Sequence, residues 1–122
     1  MGSLSDFDAS TVDELFDKIV EQVKGVASKW YNANRDVVEG YFKSLAQASF
    51  QTQVSLKSGR IDKEVADQAL RMQQAALRQT IRYTEFMTFV LAQQVVDAAF
   101  KVIGTAVKNY TGVNFFPELS QV

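Results

Sequence analysis

The 122-residue chain contains no histidine and no cysteine, and these absences exclude most common catalytic and metal-binding sites. Without imidazole there is no Ser-His-Asp triad, no usual zinc site and no Glu-x-x-His pair of the kind that binds iron in helical bundles. Without cysteine there is no disulfide and no thiolate nucleophile. We also find no glycine-rich phosphate or dinucleotide motif. The sequence therefore predicts a protein that is not an enzyme and that holds neither a cofactor nor a metal ion.

Net charge is almost absent as well. The 13 basic and 14 acidic residues give a formal charge of -1, which provides no global field to attract nucleic acid or an acidic membrane. The length and the 47% hydrophobic content suit one domain with a real core. The N-terminus lacks the apolar segment of a signal peptide. Residues 1–122 are therefore predicted to form a single all-helical domain of unassigned compartment, cytoplasmic by default.

Proline and glycine are scarce, so the interruption over residues 57–62 is the strongest in the chain. Gly59 suits the left-handed position that follows a helix, and Asp62 suits the cap of the next helix. Long stretches with helical periodicity lie on both sides of this turn. The pattern predicts an all-α fold built on a long antiparallel helical hairpin.

The first arm of the hairpin begins with a predicted capping box, formed by Thr11 and Glu14. Apolar residues then recur at spacings of four and three, the seam of a heptad, to about Trp30. Residues 31–34 are ambiguous, because two asparagines there are poor helix formers. A kink or brief break with roughly collinear pieces and an uninterrupted helix are both consistent with this pattern.

The second arm, from Asp62 to about Lys108, contains no strong helix breaker before Gly104. It predicts one helix roughly 70 Å long. Residues 86–92 are apolar nearly all the way round, so we expect partners on every side of this segment. Polar and charged residues after position 92 interrupt the apolar run before it reaches the length that a bilayer needs.

A hairpin of two long helices cannot enclose its own apolar surface, because each helix has only one neighbour. The sequence therefore predicts assembly into a homo-oligomeric helical bundle. The alternative is a monomer that breaks at residues 32–34 and folds its first helix back as a three-helix bundle. The predicted oligomer or core contacts are apolar residues from both arms: Val12, Phe16, Ile19, Val23, Trp30, Phe86, Phe89, Val90, Leu91 and Val95.

The two ends of the chain differ in character. Residues 1–9 are predicted to be a short flexible N-terminus, and residues 112–122 form an aromatic tail. Phe115, Phe116 and Leu119 could dock on an unidentified protein partner as a short peptide. The alternative is that the tail folds over the open end of its own bundle.

The charged residues form two local patterns. Asp13, Asp17 and Glu21 make an acidic ridge near a helix start, which we interpret as a solvated face that complements the helix dipole rather than a calcium site. An arginine strip along the second arm includes Arg78 and Arg82, for which antiparallel arms predict acidic partners on the first arm. The strip could contact phosphates, but three arginines on a chain with this charge balance make nucleic-acid binding an unfavoured interpretation.

These observations favour a non-enzymatic structural or protein–protein interaction protein that acts as a homo-oligomeric bundle. One alternative is an amphipathic protein that binds a lipid surface or forms a pore when the hairpin opens over residues 86–107. Another is a small enzyme that uses carboxylates. Membrane-surface binding is thus a partner class that the sequence allows without favouring.

Overall fold

The computed structural model describes residues 4–119, and within them the chain is all-α without strands. A short 3-10 turn at Leu4–Asp6 precedes the helices. The helices are α1 (Val12–Ala33), α2 (Arg35–Lys57), α3 (Lys63–Ile81) and α4 (Phe89–Thr111). They pack against one another in a bundle, which confirms the predicted all-α helical-bundle class.

The predicted helix starts and the central turn are confirmed. Thr11 Oγ1 accepts a hydrogen bond from the Glu14 backbone N–H, and the Glu14 carboxylate accepts one from the Thr11 N–H, both at 3.1 Å. Asp62 caps α3 by accepting the Val65 N–H at 2.9 Å. Gly59 has φ +82°, a left-handed conformation that a side chain would disfavour. Local side-chain chemistry therefore fixes these boundaries.

The prediction of one continuous helix in the second arm is wrong, because residues 82–88 form a turn between α3 and α4. Tertiary hydrogen bonds hold this turn. Trp30 Nε1–H donates to Thr84 Oγ1 at 2.7 Å, and Asn34 Nδ2 donates to the Glu85 carbonyl at 2.9 Å. Trp30 lies in the last turn of α1 and Asn34 lies between α1 and α2, so contacts distant in sequence override the helical propensity of this segment.

The α3–α4 turn contains neither glycine nor proline. Phe86 nevertheless has φ +64°, which is unusual for a bulky residue. Thr88 follows it and begins α4, with its hydroxyl accepting the Leu91 N–H at 3.0 Å. A threonine cap thus starts α4 two residues after a left-handed aromatic residue.

The first arm is also divided, and its two pieces are not collinear as favoured. α1 packs back against α2, and Asp13 on α1 forms a 2.5 Å ion pair with Lys43 on α2. Ala27 leaves helical geometry inside α1, with φ −149° and ψ 51°, which kinks the helix before the chain passes Asn34. The predicted break near residues 31–34 is present. The chain reverses there, as in the monomeric alternative, but it forms four helices rather than three.

The core lies around α4, which packs against α1, α2 and α3. Trp30 meets Phe42 edge-on with ring centroids 6.5 Å apart, and Phe100 of α4 lies 5.4 Å from Phe116 of the tail. These four rings are almost completely buried. Because α1 folds back, a single chain covers most of α4. The main reason to expect an oligomer, a hairpin in which each helix has only one neighbour, therefore no longer applies.

Candidate functional site

The structure separates the predicted contact residues into three groups. Buried in the single chain are Ile19, Val23, Trp30 and Val95. Partly buried and packed against the core are Val12, Phe16 and Leu91. Exposed are Phe86, Phe89 and Val90. The exposed group does not serve the core of one chain, and its burial in an oligomer stays a prediction.

The aromatic tail is occupied by its own bundle, which corrects its suggested use as a docking peptide. Phe115 and Phe116 are buried, and Leu119 is partly buried. Arg71 donates to the Phe115 carbonyl at 2.7 Å and places its guanidinium 4.4 Å from the centre of the Phe116 ring. Arg71 also forms a 2.8 Å ion pair with Glu118. The other interpretation, a tail folded over its own bundle, describes this arrangement.

The N-terminal segment is likewise more anchored than predicted over its described part. Ala9 is fully buried, and its carbonyl lies 3.4 Å from the Gln53 side-chain nitrogen. Asn109 near the end of α4 donates to the carbonyls of Ser5 and Phe7 at 3.2 and 2.6 Å. Residues 4–9 therefore form part of the fold. Residues 1–3 lie outside the described range.

A cluster of exposed apolar side chains occupies the α3–α4 turn and the start of α4. Tyr83 is 82% exposed, Phe86 62%, Phe89 90% and Val90 66%. We call these four residues the aromatic corner. Their exposed area is roughly 500 Å², about the size of the largest apolar patch on a typical monomeric protein. Apolar patches of this size often bind a protein, a membrane or a ligand, so the aromatic corner is the leading candidate site.

Cations flank the aromatic corner. Lys29 Nζ lies 5.7 Å from the centre of the Phe86 ring, and the Arg82 guanidinium lies 5.4 Å from the centre of the Tyr83 ring. Within residues 4–119, neither cation forms an ion pair. The corner therefore combines apolar surface with positive charge that the described chain does not neutralise.

An open cleft of about 350 Å³ lies between α3 and α4 beside Phe89. Arg78 and Arg82 line it, one helical turn apart at the end of α3. Their hydrogen bonds go to neutral amides: Arg78 donates to Gln93 at 3.3 Å, and Arg82 donates to Gln79 at 3.1 Å. We call this space the arginine cleft.

The acidic partners predicted for Arg78 and Arg82 are Glu39 and Asp36, and neither forms an ion pair with an arginine of the cleft within residues 4–119. Glu39 accepts a 2.8 Å hydrogen bond from the Tyr31 hydroxyl and lies 3.5 Å from Arg35. The register of α2 against α3 is visible instead in the 2.9 Å hydrogen bond from Ser49 to Gln73. The expected ion pairs between Arg78 or Arg82 and the first arm are therefore wrong.

The displaced pKa values do not favour acid–base chemistry. Burial and a hydrogen bond to Glu39 raise the pKa of Tyr31 to about 12. Hydrogen bonds to Lys18 and to Arg71 lower the pKa values of Glu21 and Glu118 respectively. Each of these shifts moves the group away from neutrality, whereas a general acid or base works best with a pKa near the operating pH.

A further cavity of about 410 Å³ lies where the tail crosses α4. Lys101 and Lys108 line it together with apolar residues, and no acidic residue is among the groups that line it. Nucleophilic or acid–base catalysis needs a second group that activates or orients the first. Ser5, Thr105 and Asn114 complete the polar lining of this cavity, and none of the groups whose pKa is displaced is part of it.

The acidic ridge and the long apolar stretch of the second arm can also be placed in the structure. Over residues 4–119 no group of three or more acidic side chains could hold a metal ion, and Asp13 and Glu21 of the acidic ridge pair with Lys43 and Lys18. α4 is long and apolar enough to cross a membrane, as core helices of globular proteins can also be. In this chain 61% of its most apolar window is buried inside the bundle.

Comparisons of the chain with protein families, with curated proteins and with solved structures gave no match. The function must therefore be argued from the surface itself. Of that surface, the sequence identified Phe86, Phe89 and the arginine strip as notable. It missed Tyr83 and Lys29 as members of the same site, because only the folded chain brings them to one end of the bundle.

Proposed function

We propose that this protein is a non-enzymatic helical bundle that docks peripherally on a lipid surface through the aromatic corner. The observation that carries this proposal is the exposure of Tyr83, Phe86 and Phe89 together at one end of the bundle. Aromatic side chains partition into the boundary between lipid headgroups and acyl chains, and nearby cations favour the same location. The aromatic corner has both exposed aromatic rings and neighbouring cations.

The size of the corner suits weak and reversible binding. If one third of its roughly 500 Å² leaves water, the gain is about 4 kcal/mol at 25 cal/mol per Å². That corresponds to a dissociation constant of about 1 mM before any electrostatic attraction is added. The proposal is thus for peripheral docking, with α4 remaining in the core, rather than for the opened hairpin or pore suggested by the sequence.

Self-association remains the second candidate, because an exposed apolar corner can also meet a second copy of the chain. The limited area of the aromatic corner favours lipid binding over self-association. A stable protein interface buries about 800 Å² on each partner, which exceeds what the corner offers. The fold-back of α1 also helps to bury 61% of the most apolar window of α4, which leaves Phe86, Phe89 and Val90 as the exposed apolar part of the segment for which we expected partners.

Flotation with neutral phosphatidylcholine vesicles tests the proposal. We expect the wild-type protein to float with the vesicles and a Tyr83→Ser, Phe86→Asn, Phe89→Ser variant to bind on the order of a hundredfold more weakly, at about 1 kcal/mol per side chain. Asparagine is chosen at position 86 because it tolerates a left-handed conformation. The matched control is Met72→Ser, which removes an exposed apolar side chain of α3 outside the corner.

Light scattering on the same proteins separates the two candidates. A wild-type monomer that floats, and a triple variant that folds but does not, would support lipid docking. A wild-type oligomer that the triple variant dissociates, with no flotation of either protein, would refute lipid docking in favour of self-association.

A further inference from the structure

We propose that the arginine cleft binds the phosphate of an anionic phospholipid headgroup through Arg78 and Arg82. This inference rests on the proposed lipid docking and gives it a ligand class. The cleft opens beside Phe89, which is 90% exposed and belongs to the aromatic corner. A lipid surface that covers the corner therefore brings headgroups to the mouth of the cleft.

The two guanidinium groups retain unused hydrogen-bond donors. Each guanidinium carries five N–H donors in a fixed planar fork, which matches the oxygens of a phosphate. Arg78 lies in the last turn of α3, and Arg82, four residues later, caps that helix with helical backbone angles, so their side chains emerge as neighbours on one face. Each makes only one described hydrogen bond to another side chain, in both cases to a glutamine oxygen.

The local charge favours an anion. Within residues 4–119 neither Arg78 nor Arg82 forms an ion pair with a carboxylate. Asp97 is linked to the cleft through Gln93, whose amide donates to Asp97 at 2.8 Å while its oxygen accepts from Arg78. The chain as a whole carries a net charge of -1, so the positive cleft is a local feature.

The walls of the cleft suit an amphipathic ligand better than a small free anion. Met87, Phe89 and Ala92 line it opposite the arginines. Its volume of about 350 Å³ lies at the lower end of the range for small-molecule sites. A phosphodiester with an attached glycerol places its charge at the arginines and its carbon chain against the apolar wall. We therefore commit to a lipid headgroup.

Vesicle binding with paired charge variants tests this assignment. Wild-type protein is compared on phosphatidylcholine vesicles and on the same vesicles containing phosphatidylglycerol. Arg78→Gln/Arg82→Gln should abolish the gain from phosphatidylglycerol, a loss of about thirtyfold for two charges near an anionic surface. The matched control is Lys57→Gln/Arg60→Gln, which removes two exposed charges at the turn between α2 and α3. Circular dichroism verifies that all variants fold.

The outcomes distinguish this inference from the proposed function. If the control double variant loses as much of the gain as the cleft double variant, or if neither loses any, the cleft assignment is refuted. If phosphatidylcholine vesicles bind through the corner but phosphatidylglycerol adds nothing, only the cleft assignment fails. If no vesicle binds the wild-type protein, the proposed function itself fails.

Two further probes identify the chemical source of the anion. Phosphatidylcholine vesicles that contain oleate, at the same surface charge as the phosphatidylglycerol vesicles, test whether any amphipathic anion suffices. If oleate strengthens vesicle binding as much as phosphatidylglycerol does, the choice of phosphate is refuted. Inorganic phosphate tests the free ion. Calorimetric binding of inorganic phosphate that requires Arg78 and Arg82, without a gain from phosphatidylglycerol, would refute the lipid headgroup as the occupant.

Discussion

The hydrogen bond between Trp30 and Thr84 is expected to hold the α3–α4 turn in place. Trp30 is 1% exposed, and its Nε1–H donates to Thr84 Oγ1 at 2.7 Å. The same hydroxyl donates to the Ile81 carbonyl at the end of α3 at 2.5 Å. Thr84→Val preserves the shape of the side chain but removes the acceptor, so it leaves a buried indole N–H without a partner.

The cost of this change follows from the burial. An unsatisfied buried donor costs about 1–3 kcal/mol, and we expect Thr84→Val to lower the free energy of unfolding by about 2 kcal/mol. Thr84→Ser keeps the hydroxyl and loses one methyl group of a partly buried side chain, so its expected cost is below about 1 kcal/mol. The difference between the two variants measures both hydrogen bonds of the hydroxyl, and only a double-mutant cycle with Trp30 separates the bond to the indole from the bond to the Ile81 carbonyl.

Urea denaturation followed by far-UV circular dichroism measures both variants. Tryptophan fluorescence is unsuitable for the complete set, because Trp30 is the only tryptophan and the double-mutant cycle requires Trp30→Phe. The cycle should give a coupling energy of about 1 kcal/mol or more between Trp30 and Thr84. If Thr84→Val and Thr84→Ser agree within about 0.5 kcal/mol, the hydrogen bond does not hold the turn and this explanation of the α3–α4 break is wrong.

Three further predictions concern other parts of the bundle. Arg71→Met should loosen the tail and lower stability at neutral pH, and hydrogen exchange would detect this. Because Arg71 lowers the pKa of Glu118 below its ordinary 4.5, the stability difference between wild type and this variant should shrink as pH falls through the lowered value. Gln53→Met should raise the free energy of unfolding by about 1 kcal/mol in urea denaturation, since the buried Gln53 Oε1 has no partner among residues 4–119; a clear loss would mean that this oxygen is satisfied. The raised pKa of Tyr31, about 12, means that the folded state keeps a proton which the unfolded state releases near 10. Stability should therefore fall as pH rises from 10 toward 12, and Tyr31→Phe should reduce this fall and remove the component of tyrosinate absorbance that appears near pH 12.

Helix boundaries that depend on nearby residues were predictable from the sequence. Thr11 and Glu14 form both bonds of their capping box, and Asp62 caps α3. Gly112 ends α4 with φ +86°, in the left-handed position that glycine favours. Each of these signals lies within a few residues of the boundary that it sets, so no tertiary information is needed.

The α3–α4 turn was not predictable in the same way. Its fixing contacts come from Trp30 and Asn34, about 50 positions earlier in the chain. Without glycine or proline, residues 82–88 show no strong breaker. Thr88 before an apolar run is the one local signal of a helix start, and it was overlooked because the apolar periodicity continues on both sides of it.

The candidate site was only partly predictable for a related reason. The apolar character of Phe86 and Phe89 was evident from the sequence, but their exposure depends on where the chain turns. A continuous helix would place both residues in the middle of a long arm whose apolar surface must be buried by other helices. The turn instead places them at one end of a bundle that is already covered, where Lys29 and Arg82 lie beside them.

Phe86 links backbone strain to this exposed surface. A bulky residue with φ +64° carries a cost of about 1–3 kcal/mol, and such costs concentrate at functional sites. Glycine or asparagine would relieve the strain, and a buried phenylalanine would offset it by removing apolar area from water. Phe86 does neither in the isolated chain, because its side chain is largely exposed. Under the proposed lipid docking, burial of this ring would offset the strain. The strain and the exposure thus both support the aromatic corner as the place where this protein binds.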